Sequence, residues 1–219
     1  MRLIDTHSHL FLEEFSEDFP QVIERARAAG VTHIFMPNID STTIEAMLSA
    51  CSVYKGYCFP MIGLHPTSVN ANYEKELEIV ARELKFSKEY VAIGEIGMDL
   101  YWDKTYLKEQ QIVLDKQVNW ALEYDLPIVI HCRDAFDYIY KVLEPYKKTP
   151  LRGIFHSFTG TAEEATRVLE FSDFFIGING VVTFKKSHLP EILAGIPLGK
   201  IVLETDSPYL TPVPNRGKR

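Results

Sequence analysis

Leu126-Pro127-Ile128-Val129-Ile130-His131 is an apolar run that ends on a histidine, and Phe136 to Leu143 follows it with helical spacing. Short apolar runs of this kind read as strands buried on both faces, as in parallel sheets. The unit recurs in both directions. Upstream, Tyr90-Val91-Ala92-Ile93-Gly94 ends in Glu95, and an amphipathic helix spans Leu107 to Tyr124. Before it, Tyr57 to Leu64 delivers His65-Pro66 and precedes a polar helix around Tyr73 to Phe86. Val31 to Met36 is stopped by Pro37, and Ser41 caps the helix after it. Downstream, Leu151 to Phe155 delivers His156, with a helix from Ala162 to Phe171. Phe174 to Ile178 is a seventh strand, and Ile201 to Leu203 is an eighth that delivers Glu204-Thr205-Asp206.

The first strand runs into Asp5-Thr6-His7-Ser8-His9, and Phe19 to Gly30 is its helix. Side chains alternate along a strand, so His7 and His9 share a face. About eight strand–helix units favour a (β/α)8 barrel over an open doubly wound sheet. The expectation is an α/β TIM barrel in one domain, residues 1–219, with no linker. Such barrels typically reach ~250 residues, and this sequence stops at Arg219. The pattern therefore predicts a last helix that is missing or truncated, and a chain represented only in part.

Composition narrows the function. With 46% hydrophobic and 24% charged residues, the chain reads as an ordinary globular protein. It contains no apolar run of ~18 residues to span a membrane, and Asp5 and His7 interrupt any signal-peptide layout. Cys51, Cys58 and Cys132 are odd in number without CxxC spacing, which predicts reduced thiols and a cytoplasmic location. A net charge of −7 argues against a broad basic surface for nucleic acid.

His7, His9, Glu95, His131, His156 and Asp206 each follow an apolar strand, at the end where a parallel barrel builds its active site. A helix cap or a solvated loop residue explains any one of them, but not six ligand types after five strands. Four imidazoles and two carboxylates exceed the needs of one ion. The simplest partition is two divalent ions: His7, His9 and Asp206 on one, His131 and His156 on the other, and Glu95 across both. Mixed nitrogen and oxygen donors suit Zn, Mn, Fe or Co, and an all-oxygen set suits Mg better; the choice among Zn, Mn and Mg stays open. Two such ions keep the site positive and suited to a phosphate ester.

Other residues surround this centre. His65 is expected beyond the ligands, on a substrate oxygen. Arg133 shares a strand face with His131 and suits a phosphate fork, or an ion pair with Asp134 or Asp137. Glu204 is expected to handle protons or to support a ligand, alongside Asp206 and Glu95 in the catalytic group; a salt bridge is its plainer role. Asp5 is expected to orient a ligand histidine. Tyr101, Trp102 and Tyr106 suit base stacking or simple packing. Arg216 and Lys218 suit phosphate contacts or a solvated tail. Cys132 alternates away from His131 and reads as packing.

The sequence resembles the TatD family of metal-dependent hydrolases, among the amidohydrolase-type barrels. The resemblance rests on Ile4-Asp-Thr-His-Ser-His-Leu10, Gly63-Leu-His-Pro66, Gly94-Glu-Ile-Gly-Met-Asp99, Leu126-Pro-Ile-Val-Ile-His-Cys-Arg-Asp-Ala135, Phe155-His-Ser-Phe-Thr-Gly160 and Leu203-Glu-Thr-Asp-Ser-Pro-Tyr-Leu210. It departs at Phe11, where an acidic or amide residue is usual. The resemblance implies a deoxyribonuclease or 3′→5′ exonuclease with a two-metal site on His7, His9, Glu95, His131, His156 and Asp206. Its substrate would be single-stranded DNA or 3′ ends, cleaved by a water that the ions activate, with no membrane and no obligate protein partner. Hydrolysis of an amide, ester or aminoacyl bond at the same site is the nearest rival. A non-catalytic metal-binding scaffold is a third reading, and the complete ligand set weighs against it.

Overall fold

A computed structural model describes all 219 residues. The strands are β1 (Leu3–Asp5), β2 (Val31–Pro37), β3 (Cys58–Met61), β4 (Ile93–Asp99), β5 (Ile128–Arg133), β6 (Gly153–Phe155), β7 (Phe174–Ile178) and β8 (Ile201–Leu203). The helices α1 (Phe19–Ala28), α2 (Ile44–Val53), α3 (Tyr73–Phe86), α4 (Leu107–Glu123), α5 (Phe136–Leu143), α6 (Ala162–Val168) and α7 (Leu189–Leu193) alternate with them. All ladders are parallel, in a three-stranded run β1-β2-β3 and a five-stranded run β4 to β8.

A few backbone hydrogen bonds close the two seams. Ile62 N–H donates to Ala92 O at 3.1 Å and Gly94 N–H to Ile62 O at 2.9 Å, joining β3 to β4. Thr6 N–H donates to Leu203 O at 3.1 Å, joining β1 to β8. Asp5 strengthens this second seam, taking the Thr205 N–H at 2.9 Å and the Thr205 hydroxyl at 2.7 Å. Eight strands thus form a TIM-type ring with helices outside it.

Helix spacing is carried by apolar residues on one face. In α3, Leu77, Val80 and Leu84 are buried; in α6, Thr161 and Glu164 form a reciprocal capping box. α4 buries two polar side chains among its apolar ones, Gln110 and Gln117. Gln117 accepts the Leu64 N–H at 2.7 Å and donates to Leu64 O at 3.3 Å. Gln110 does the same for Asp99, at 3.0 and 3.2 Å. These amide clips fix the backbone just where β3 and β4 hand over to functional loops.

Three details differ from the sequence reading. β4 begins at Ile93 and runs on to Asp99, so Glu95 lies within the strand. Gly97 allows this: its φ is +135°, and a Cβ there would sit 2.0 Å from His131 O. β5 likewise extends through His131 to Arg133, pairing Asp99 with Arg133. The short α7 was not anticipated, since Pro190 masks its pattern. No helix follows β8 among these residues. No helix is long and apolar enough to cross a membrane.

Candidate metal centre

The buried carboxylate of Glu95 is the hub. Its Oε2 faces the first strand, 3.1 Å from His7 Nε2 and 3.6 Å from His9 Nε2. Its Oε1 faces the other way, 2.9 Å from His131 Nδ1, 3.4 Å from His65 Nε2 and 3.6 Å from His156 Nε2. Asp206 closes the ring: Oδ1 lies 3.6, 3.8 and 3.9 Å from the Nε2 atoms of His9, His7 and His156. The loop after β8 positions it through a left-handed φ of +58° and a 2.9 Å hydrogen bond from its N–H to His7 O.

All six expected ligands therefore meet, though not in the expected pairs. His156 stacks on His7, ring centres 3.5 Å apart, and groups with His7 and Asp206. His131 groups with Glu95 and His65 instead. The cause is Asp99, whose Oδ2 takes His131 Nε2 at 2.9 Å and turns the ring toward Glu95 Oε1. Asp99 was missed as a site residue. Strand alternation was the signal, because Glu95, Gly97 and Asp99 share one face of a strand that runs longer than expected.

His65 lies nearer than its place in the sequence suggested, because the Gln117 clip on Leu64 folds the chain back toward Glu95. Its Nδ1 accepts the Thr67 N–H at 3.2 Å, which assigns the proton to Nε2. His65 Nε2 thus faces Glu95 Oε1 beside His131, in a group that could also hold a cation.

Of the two roles expected for Glu204, proton handling in the catalytic group or support of a ligand, its place behind His156 matches the second. Glu204 is buried there, with Oε1 3.1 Å from His156 Nδ1 and taking the Ser157 N–H at 2.5 Å. Asp5 is corrected. Its carboxylate accepts from Thr205 and the His7 backbone, so it ties the seam rather than orienting an imidazole.

Above the ligands opens a cleft of about 650 Å³, whose walls include Trp102, Arg133 and Tyr209. Arg133 pairs with neither Asp134 nor Asp137; Asp137 is held by Arg167 at 2.7 Å. The Arg133 guanidinium lies 3.8 Å from the Tyr101 ring centre and 5.3 Å from that of Trp102. Tyr106 instead packs with Leu64 and Leu77. Arg216 lies over Phe184, away from the ligands. Cys132 packs against the core, and all three cysteines are free thiols.

Charge at the centre follows from burial and crowding. Burial holds His7 well below its usual range and brings His9 down to about 4, partly offset by Glu95. Burial also opposes charge on His131 and His156, but Asp99 and Glu95 lift His131 to about 9, and Glu204, Glu95 and Asp206 lift His156 to about 10. Burial raises Asp206 to about 7, with Glu95 adding to the rise and His156 opposing it. Burial opposes Glu95's charge too, yet the surrounding imidazoles keep it well below the usual carboxylate range.

The residues fit divalent cations. The Nε2 atoms of His7 and His9 lie 3.2 Å apart, on uncharged rings, and both point at a carboxylate oxygen. So many acceptors converging in a buried space are satisfied by a shared cation. The description "TatD related DNase" belongs to a family model that matches residues 4–219. The chain belongs to that family. Its relatives include the uncharacterized metal-dependent hydrolase YabD of Bacillus subtilis strain 168, 38% identical over 218 residues, or 99% of this chain and 84% of that protein. The 3′-5′ ssDNA/RNA exonuclease TatD of Pantoea ananatis is 32% identical over 212 residues, 96% of this chain and 81% of its own. The crystal structure of the TatD homolog YjjV from Escherichia coli K12 superposes with a TM-score of 0.88 at 31% identity, covering 95% of this chain and 80% of that one. The protein is a TatD-type metal-dependent hydrolase.

Proposed function

We propose that this hydrolase is a 3′→5′ exonuclease that cleaves phosphodiester bonds in single-stranded DNA or RNA with two divalent ions. The observation that carries the two-ion reading is the division of Glu95, with Oε2 among His7 and His9 and Oε1 among His131, His65 and His156. Bound there, the ions supply a water of lowered pKa and charge to offset the phosphoryl transition state.

The protein's own groups supply the rest. Asp206, whose Oδ1 faces the His9 and His7 nitrogens at 3.6 and 3.8 Å, orients the attacking water and takes its proton. His65 donates through Nε2, and Arg133 through its guanidinium, to the non-bridging oxygens. Trp102, beside Arg133, offers an exposed ring to a base. The exonuclease activity named for the Pantoea relative supports the substrate class. Three free thiols suit a reducing, cytoplasmic compartment.

The test is hydrolysis of end-labelled single-stranded DNA and RNA by metal-stripped protein, with Mg, Mn and Zn restored singly and Glu95→Ala alongside. Progressive shortening from the 3′ end that needs metal and disappears in the variant is the expected result. Stoichiometric metal uptake with intact DNA and RNA refutes the nuclease. Amide and ester substrates then come next.

A further inference from the structure

The cleft over Glu95 does not end at the ligands. Thr159 and Val181 form one of its walls, and beyond them the surface falls into a second groove of about 860 Å³. Phe184, Lys185, Lys186, Ser187 and Arg216 line it.

Two segments far apart in sequence build this groove. The turn Gly180–Thr183 follows β7, and the segment after β8 lies directly on it, since a Cβ on Gly180 would sit 2.1 Å from Leu210 O. Val213 N–H donates to Thr183 Oγ1 at 2.9 Å. Arg216 then lays its guanidinium 4.3 Å from the Phe184 ring centre. Its position is thus built by packing.

The lysine and arginine charges in this groove are free, and its one carboxylate, Glu164, is occupied by the Thr161 N–H. Lysine and arginine ion pairs in the chain involve Arg25, Lys147, Arg152, Arg167 and Arg219. Lys185, Lys186 and Arg216 make none. A chain of net charge −7 repels a polyanion at long range. Three unpaired cations and an aromatic ring leading away from a phosphodiester site are a local exception, and they combine the features by which single strands are held without sequence preference.

We propose that this groove carries the body of a single-stranded polynucleotide beyond the scissile phosphodiester, with Lys185, Lys186 and Arg216 on its phosphates. The inference rests on the nuclease reading above and adds where the strand lies. It makes the protein a reader of chain length, because a strand confined to the cleft over Glu95 forgoes the three cations of the groove.

The test is binding of a labelled single strand of about 20 nucleotides, followed by fluorescence anisotropy in chelator across a salt series. The triple variant Lys185→Ala/Lys186→Ala/Arg216→Ala is compared with wild type. Each phosphate neutralised on a single strand contributes ~0.7 to the slope of log K against log salt, so the slope should fall by about 2. Turnover of bis(p-nitrophenyl) phosphate by the metal-loaded variant should stay at the wild-type level. The charge-keeping variant Lys185→Arg/Lys186→Arg/Arg216→Lys should retain the wild-type slope. An unchanged slope in the triple alanine variant overturns the proposal, as does an equal loss in the charge-keeping one. A reduced slope in a protein that cleaves neither DNA nor RNA keeps the groove and sinks the nuclease. Normal cleavage with an unchanged slope does the reverse.

Discussion

Asp99 Oδ2 lies 2.9 Å from Nε2 of His131, while the ring's other nitrogen lies 2.9 Å from Glu95 Oε1. Both carboxylates belong to β4, so a single strand holds the imidazole at both ends. Asp99 is itself fixed, by the Gln110 clip on its backbone and by the Tyr101 N–H at 3.0 Å. Partners of this kind typically contribute ~10–100-fold to metal affinity. Asp99→Ala should therefore weaken metal binding by about that factor while leaving the fold intact. Competition against a chelator measures it, and wild-type affinity in the variant would falsify the role.

His131 and His156, raised to about 9 and 10, carry protons at neutral pH when no cation is bound. Metal binding must displace them. Uptake near neutral pH should release about two protons per protein, and affinity should fall as pH falls. Calorimetry in buffers of different ionisation enthalpy counts the protons. A count of zero removes these two histidines from the ligand set.

The same two groups set a stability trend in metal-free protein. Their folded values exceed the ordinary 6.5, so their contribution is complete below that pH and is lost as pH rises through 9 to 10. Melting temperature should decline from pH 7 to pH 9 without metal. A flat or rising profile over that window contradicts the assignment.

Gly177 of β7 leaves the space that Glu204 fills. A Cβ there would lie 2.5 Å from Glu204 Oε2 and 2.9 Å from its Cδ. Gly177→Ala must push Glu204 off the Ser157 N–H and His156. A destabilisation on the order of 1–3 kcal/mol is expected from such overpacking, together with weaker metal binding. Chemical denaturation checks the first effect, and an unshifted midpoint rejects it.

Trp102 is exposed at the cleft beside Arg133. Stacking one base on an aromatic ring contributes ~1–3 kcal/mol. Trp102→Ala should thus raise KM for a polynucleotide by roughly 5- to 150-fold, with little change for bis(p-nitrophenyl) phosphate. Equal effects on both substrates would assign the ring to packing.

The ring of strands was legible because each buried strand is a short apolar run and each ligand stands directly after or within one. Phe174–Ile178 and Ile201–Leu203 are read to the residue for that reason. The path of β4 was not legible, because Gly94 and Gly97 read as a stop, yet Gly97 lets the strand pass close to His131. Roles that depend on direction were also hidden. Whether Glu204 faces the cleft or His156, and whether Asp5 reaches an imidazole or Thr205, is decided by neighbours across the ring. Gln110 and Gln117 carry no signal in the sequence that marks them as buried. Seven residues apart, they lie on one buried face and grip two loops.

The seam between β1 and β8 joins Asp5 to Thr205 across 200 residues of sequence. His7 and Asp206 come together only through it. A growing chain cannot assemble the centre before its eighth strand has been made, and contacts of such long range form late in folding. Partly synthesised or seam-opened molecules are therefore inert. For a hydrolase this is a built-in safety catch, in which the first and last strands must meet before the centre exists.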